Sequence, residues 1–321
     1  MGGAGNRLVR KGSRAHIRDP KAKVFNKVLH CNNSVRGVRS IRCMGLLLWL
    51  FMSVAGAAET PRVVATIHPL ALLVGDVAGE SVSLTTLLPP GTEPHHAMLG
   101  IRQRQVLAEA DLVFWVGPDL EAFLAKTLAL RKDEGVLRAS AIVGETKARV
   151  QGETDAHLWL NPENGRRLYD ALADWFSQRY PAMAATIRDR QREFHRRFEE
   201  TLGDLRDQFP VTGKGYIADH DAYRHFSDYF DIPFVGALTD SAGLSLGART
   251  HGELRRAQNA ACVVVEASGP SPGARNIARH LGIDTVVVDP MAVEVESGAT
   301  GGGYLALLRR VAQGFRQCLD G

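Results

Sequence analysis

From Pro61 onward the chain alternates short apolar runs with stretches of helical pattern, and this alternation limits the folds that it can adopt. The apolar runs of the first half are RVVATIH, VSLTTLLPP and DLVFWVG, and those of the second half are KGYIADH, PFVGAL, CVVVEAS and TVVVDP. Near-continuous apolar strands with helices between them are typical of parallel sheets covered by helices on both faces. The sequence therefore predicts an α/β fold with two such sheets.

A segment of different character lies between the two halves. Residues 181–209 begin with Pro181, and their apolar side chains fall at helical spacings of three, four and seven: Ile187, Phe194, Phe198, Leu202, Leu205 and Phe209. One apolar stripe of this kind predicts a single helix of roughly 40 Å. We expect an N-terminal α/β lobe at 58–180, a rigid linker helix at 181–209 and a C-terminal α/β lobe at 210–321.

The first 57 residues have the pattern of a secretory leader. A basic stretch precedes the apolar run LLLWLFMSV at 46–54, which ends in small residues. This run is shorter than the ~20 apolar residues of a membrane-spanning helix, so it predicts a signal peptide, cleaved after Ala57 or Ala58. The leader is long, and Val38 or Met44 are alternative starts. No cysteine directly follows the run to accept a lipid, so we expect a periplasmic protein without a lipid anchor.

The basic charge of the whole chain comes from this leader. Residues 1–43 contain 11 of the 39 Lys and Arg residues and one acid, Asp19, so the remainder has 28 basic and 34 acidic residues and a net charge of −6. A nucleic-acid-binding role therefore loses its compositional support.

Two of the four cysteines, Cys262 and Cys318, lie outside the leader. In an oxidising compartment an isolated pair of this kind predicts a disulfide, here between a strand and the C-terminal helix. Two buried free thiols are the alternative.

Three histidines follow predicted strands or turns in short polar clusters. They are His95 in GTEPHHAML, His157 in TDAHLWLNP and His220 in IADHDAYRHF. Ligands of open α/β sheets collect beyond the carboxyl ends of strands, and imidazole nitrogens suit Zn²⁺. These residues predict a metal site in the cleft between the lobes, with Asp289 at the end of TVVVDP, or water, as a fourth ligand.

Several longer motifs together give a family resemblance over nearly all of residues 61–321. They are VVATIHPLALLVGDVAG, LLPPGTEPHHAML, ADLVFWVGPDLEAFL, DAHLWLNPENG, DHDAYRHF, VVDPM and the cysteine pair. The chain resembles the periplasmic solute-binding receptors of bacterial zinc and manganese ABC importers, most closely their zinc-binding, ZnuA-like branch. The resemblance implies a monomeric receptor, not an enzyme, that carries Zn²⁺ to a membrane permease, with His95, His157 and His220 as metal ligands.

The resemblance also indicates which metal and which departures to expect. Manganese receptors of the family have a carboxylate where this chain has His220, and three imidazoles favour Zn²⁺ over Mn²⁺. Some zinc receptors have an acid where this chain has Pro94, which leaves the fourth ligand open. The segment 144–155 contains no histidine, whereas many zinc receptors have a histidine-rich loop there.

Other functions remain as alternatives. A manganese or iron receptor of the same family is the nearest. A zinc hydrolase would use three histidines and a bound water, although the sequence contains no HExxH motif. A surface adhesion protein with a structural metal is the third alternative.

Overall fold

The computed structural model describes residues 60–131, 133–144, 149–150, 153–209, 213–296 and 303–321. Residues Glu59–Gly321 form one compact unit. The predicted leader, residues 1–57, lies outside the described residues. Within the described part of the chain, no helix is both long and apolar enough to cross a bilayer.

The first half builds a four-stranded parallel sheet in the order β2-β1-β3-β4. Val63 on the central strand pairs with Leu84 on one neighbour and Leu112 on the other. The strands are β1 (Arg62–Ala65), β2 (Ser83–Thr86), β3 (Leu112–Trp115) and β4 (Val136–Arg138). The helices of this half are α1 (His68–Ala78), α2 (Ile101–Glu109), α3 (Ala122–Leu128), α4 (Ala139–Val143) and α5 (Pro162–Arg179). A short antiparallel pair, β5 (Arg149–Val150) and β6 (Glu153–Thr154), precedes α5.

A long helix, α6 (Ala184–Arg206), follows α5 and lies inside the predicted segment 181–209. Its 23 residues correspond to ~34 Å. The buried side chains of its apolar stripe include Ile187, Phe194 and Phe198, and the Phe194 ring stacks on Tyr169 of α5 at 3.8 Å between centroids. The helix packs on α1 and α5. Its predicted role as a rigid linker between lobes stays a prediction.

The second half builds a second four-stranded parallel sheet in the order β10-β9-β7-β8. Its strands are β7 (Gly215–His220), β8 (Phe234–Thr239), β9 (Ala260–Val265) and β10 (Asp284–Val287). Its helices are α7 (Arg224–Ser227), α8 (Ala248–Leu254), α9 (Pro272–Leu281) and α10 (Gly303–Asp320).

Burial explains the apolar character of the central strands. All residues of β3 and of β9 are buried, because side chains on both faces of these strands pack into the core. A strand buried on both faces cannot alternate polar and apolar residues. The predicted α/β class with two helix-covered parallel sheets is thus confirmed.

Cys262 on β9 and Cys318 on α10 form the predicted disulfide, with 5.3 Å between their Cα atoms. Each residue is 1% exposed. The bond fastens the C-terminal helix to the second sheet, on which that helix packs.

We expect replacement of both cysteines by serine to lower the free energy of unfolding by about 4 kcal/mol, because the bond closes a loop across a sequence separation of 56 residues. Urea denaturation of the variant and of wild type, each with and without reductant, measures the loss. Reductant should destabilise wild type and leave the double-serine variant unchanged. Equal stability of oxidised and reduced wild type would contradict the prediction.

A buried carboxyl group lies where β3 leads into α3. Glu121 is fully buried, and its Oε2 accepts hydrogen bonds from the backbone N–H groups of Val116 (2.7 Å) and Gly117 (3.3 Å). Burial raises the pKa of Glu121 from 4.5 to about 7, although the Thr66 hydroxyl and the two backbone N–H groups lower it. Ionisation of this group therefore opposes folding.

Glu121→Gln should alter how stability depends on pH. Because the folded-state pKa is raised, the contribution of the neutral carboxyl group is lost as pH rises from 4.5 to 7. As pH rises from 4 to 8, the free energy of unfolding of the variant should increase by ~1–3 kcal/mol relative to that of wild type. Chemical denaturation at several pH values measures this difference, and Glu80→Gln, at an exposed position of the same half, is the control. A stability difference between variant and wild type that does not change with pH would contradict the raised pKa of Glu121.

Candidate metal centre

Three short elements present the three predicted histidines. His95 lies in the 3₁₀ turn Pro94–His96 after β2, His157 precedes the 3₁₀ turn Leu158–Leu160, and His220 is the last residue of β7. The turn after His157 leads into α5, whose start is fixed by Pro162 and by the Asn161 side chain, which accepts from two backbone N–H groups. The backbone after His157 is therefore fixed by local contacts, whereas that of His220 depends on the pairing of β7 with its two neighbours in the sheet.

The structure brings these three side chains together. The ring centroids are separated by 5.5 Å (His95 to His157), 5.9 Å (His95 to His220) and 5.0 Å (His157 to His220). One ring nitrogen from each histidine lies within 4.8 Å of the other two. His157 is 3% exposed, and the other two are partly buried. Their role as metal ligands stays a prediction.

A cavity of about 180 Å³ opens beside the cluster. His157 and His220 line it together with residues from both halves of the chain, and three acids, Glu93, Glu266 and Asp289, also line it. The site therefore has solvent-sized space next to the ring nitrogens and carboxylate charge around them.

The carboxylate of Asp155 contacts both the ring and the backbone of His157. Oδ1 of Asp155 lies 2.8 Å from Nδ1 of the His157 ring and also accepts from its backbone N–H at 2.9 Å. Asp155 has no exposed surface. Burial would raise the pKa of Asp155, but the hydrogen bond and charge of His157 lower it below the usual value. The indole of Trp159 lies 5.3 Å from the His157 ring.

His220 has the same kind of partner. Nδ1 of its ring lies 2.7 Å from Oε1 of Glu266, and Nε2 lies 3.3 Å from the Ser241 carbonyl oxygen. Burial alone would lower the pKa of His220, but the hydrogen bond and charge of Glu266 raise it from 6.5 to about 9. In the metal-free protein His220 is thus protonated at neutral pH.

His95 differs from the other two. Nε2 of its ring is buried and has no hydrogen-bond partner. Glu93 accepts from the backbone N–H of His95 (3.1 Å) and so fixes the turn through the backbone. Burial and the neighbouring histidines lower the pKa of His95 to about 3, so its ring stays neutral. A buried, neutral imidazole nitrogen without a partner is suited to coordinate a cation.

Asp289, the predicted fourth ligand, lines the same cavity but is engaged elsewhere. Its carboxylate accepts from the backbone N–H groups of Met291 (2.9 Å) and Val293 (2.8 Å), which closes the turn after β10. It does not belong to the group of three converging histidines. Ligation by Asp289 stays a prediction, with water as its alternative.

Sequence reasoning did not assign the carboxylates that contact the rings of His157 and His220. Asp155 precedes His157 by two residues, and Glu266 directly follows β9, the neighbour of β7 in the sheet. Parallel neighbours end at the same edge, so the rule that selected His220 could also have selected Glu266. A buried histidine, His225, also contacts Asp155, with Nε2 3.0 Å from the Asp155 carbonyl oxygen.

Comparison with known proteins gives consistent matches along the chain. Residues 63–318 match the family described as ZnuA, zinc-uptake complex component A, periplasmic. The "High-affinity zinc uptake system protein ZnuA" of Haemophilus ducreyi is 25% identical over 289 residues, which cover 80% of this chain and 93% of that protein. The protein of the same name from Yersinia pestis is 25% identical over 328 residues, covering 91% and 100%.

Solved structures share the fold. The periplasmic zinc-binding protein TroA from Treponema pallidum has a TM-score of 0.72 at 20% identity, covering 81% of this chain and 99% of that chain. The solute-binding protein FpvC of Pseudomonas aeruginosa, solved in complex with Mn²⁺, has a TM-score of 0.69 at 18% identity, covering 82% and 99%.

The His220–Glu266 contact predicts a titration that can be measured directly. In metal-free protein, the NMR shift of the His220 Cε1 proton should titrate near pH 9. In Glu266→Gln the charge is lost while burial remains, so the pKa should fall toward or below 6.5. Asp170→Asn removes the carboxylate beside His195, away from this site, and should leave the His220 pKa unchanged. A His220 pKa that does not respond to Glu266→Gln would contradict the assignment.

Proposed function

Because the chain belongs to the ZnuA family of periplasmic zinc-uptake components, we propose that it is a high-affinity zinc-binding receptor that delivers Zn²⁺ to the permease of an ABC importer. The observation that carries the proposal is the convergence of one ring nitrogen each from His95, His157 and His220 within 4.8 Å. Two of these residues belong to the first half of the chain and one to the second.

The donor set supports zinc as the cargo. Three imidazole nitrogens and one open position suit the tetrahedral, nitrogen-rich shell of Zn²⁺. Mn²⁺ favours carboxylate and water oxygens. Asp155 and Glu266 are hydrogen-bonded to the imidazole rings of His157 and His220, so in our proposal the donors are the three imidazoles, with Asp289 or water at the fourth position.

The same contacts support a binding role over catalysis. A zinc hydrolase needs a base that can take a proton from metal-bound water. Asp155 is fully buried beneath His157, and Glu266 is engaged with His220. Neither of these two acids is therefore free to act as that base, which favours the proposed binding role.

Proton release accompanies binding in this mechanism. His95 enters as a neutral ligand in our proposal, whereas His220 must lose its proton before it can coordinate. Because the pKa of His220 is raised to about 9, protons compete with zinc throughout the range below that pH. Zinc affinity therefore falls as pH decreases.

Several further parts of the proposal concern the protein as a whole. We propose a monomer that is exported to the periplasm by its leader and meets the permease there. In this proposal the lobes at 58–180 and 210–321 hold the ion between them, and the helix of 181–209 keeps their separation fixed.

The test is the stoichiometry and competitive affinity of Zn²⁺ and Mn²⁺ for the purified protein. We expect one tightly bound Zn²⁺ and a preference for Zn²⁺ over Mn²⁺. His157→Ala and His220→Ala should each weaken zinc binding by more than ~100-fold, because even residues that support a ligand contribute ~10–100-fold. His280→Ala, at an exposed helix end, is the control and should keep wild-type affinity.

Preference for Mn²⁺ would contradict the choice of cargo and favour the manganese alternative. Undiminished zinc binding in the His157 and His220 variants would contradict the ligand set.

A further inference from the structure

We propose that Asp155 and Glu266 are positioning residues, which orient the rings of His157 and His220 so that Nε2 of each ring faces the metal. The inference rests on the proposed function, since it concerns the same site. Its evidence is the pair of carboxylate–imidazole contacts at 2.8 Å and 2.7 Å, which have the same geometry in both halves of the chain.

Asp155 holds its histidine at two points. Oδ1 accepts from both the ring Nδ1 and the backbone N–H of His157, at 2.8 Å and 2.9 Å. The His225 ring, which is 3% exposed, forms a hydrogen bond with the backbone carbonyl oxygen of Asp155 and so helps to fix the backbone there. A fully buried carboxylate is costly unless its contacts compensate. The contacts of Asp155 fix one ring of the site.

Glu266 contacts His220 from the end of the neighbouring strand. β7 and β9 are parallel neighbours, and Ala218 pairs with Val264 two residues before each strand reaches the site. The chain directions thus place His220 and Glu266 side by side at the same edge. The Glu266 side chain is 29% exposed and lines the cavity, so a change there perturbs the core less than a change at Asp155.

A carboxylate on one ring nitrogen determines what the other nitrogen can do. A carboxylate can only accept a hydrogen bond, so Nδ1 of each ring must carry the proton. In the neutral ring the lone pair is then on Nε2, and in His220 this requires loss of the Nε2 proton that faces the Ser241 carbonyl oxygen. The hydrogen bond to Nδ1 also raises the basicity of the ring as a ligand. Asp155 and Glu266 therefore choose the coordinating atom as well as the ring orientation.

His95 provides an internal contrast. Its backbone is fixed by Glu93, but no carboxylate contacts its ring among the described residues, and its Nε2 has no partner. Two of the three ligands are thus oriented before an ion arrives, and the third is held by its turn alone.

The experiment compares Glu266→Ala with Glu266→Gln and adds Asp155→Asn. Zinc affinity is measured by competition with a chromophoric chelator, at a pH above the pKa of His220, so that proton competition does not enter the comparison. Glu266→Ala should bind zinc ~10–100-fold more weakly. Glu266→Gln keeps an oxygen that accepts from Nδ1, so it should recover most of the zinc affinity that Glu266→Ala loses. Asp155→Asn should likewise bind zinc more tightly than Asp155→Ala.

A second readout reports the coordinating atom itself. Imidazole ¹⁵N NMR of the zinc-loaded protein should find His157 and His220 bound through Nε2 with a proton on Nδ1. In Glu266→Ala the His220 pattern should become mixed or reverse, while His157 keeps its own pattern. The matched control is Asp170→Asn, which removes a carboxylate 2.7 Å from His195 outside the site and should change neither readout.

The outcomes separate the two proposals. Failure of wild type to bind zinc would overturn the proposed function, and the positioning role with it. Tight zinc binding by wild type, together with unchanged affinity and unchanged ¹⁵N patterns in Glu266→Ala, would overturn the positioning role alone. If the Asp155 variants do not fold, the Glu266 pair decides the question.

Discussion

Parallel pairing of the strands is the constraint that brings His220 and its carboxylate partner together. Strands that run in the same direction end at the same edge, and the polar residues that follow them must lie close together. His220 and Glu266 end β7 and follow β9, and this order alone makes them neighbours. The apolar strands supply the burial that holds the sheets together, and the strand ends supply the chemistry. A change of strand order would separate the residues of the site without altering any of them.

Electrostatic repulsion limits how many of the three histidine rings can be protonated at the same time. Three rings with centroids 5.0 to 5.9 Å apart cannot all carry a proton, because like charges at this separation repel in a partly buried site. Burial keeps His95 neutral, and Glu266 keeps His220 charged when no metal is bound. In the proposed function a divalent cation would replace that proton, and the carboxylates of Asp155 and Glu266 would then compensate the charge of the loaded site as they do that of the metal-free site.

Much of this could be predicted from the sequence, and the reason is physical. The apolar runs predict the strands, and the helical stripe that includes Phe194 and Phe198 predicts α6, because apolar side chains occur at the positions that are buried in each element. Histidines are rare enough at strand ends to stand out. Acids are not, since Asp and Glu occur at many turns, so Glu266 and Asp155 became visible only through the contacts of their side chains. Asp289 illustrates the converse: its position at a strand end suggested ligation, but the same oxygens can also close a turn.

The C-terminal helix connects the site to the rest of the fold. The Tyr304 hydroxyl at the start of α10 donates to the carbonyl oxygen of Trp159, two residues after His157, and its ring packs so closely on Gly165 that a Cβ there would lie 2.0 Å from it. At the same end, Asp76 of α1 accepts from the Tyr304 backbone N–H, and a positive φ of 68° at Gly303 allows this approach. The other end of α10 is fastened by the disulfide. The turn that carries His157 is therefore held by a helix from the second half of the chain, so the two halves cannot separate without disturbing His157.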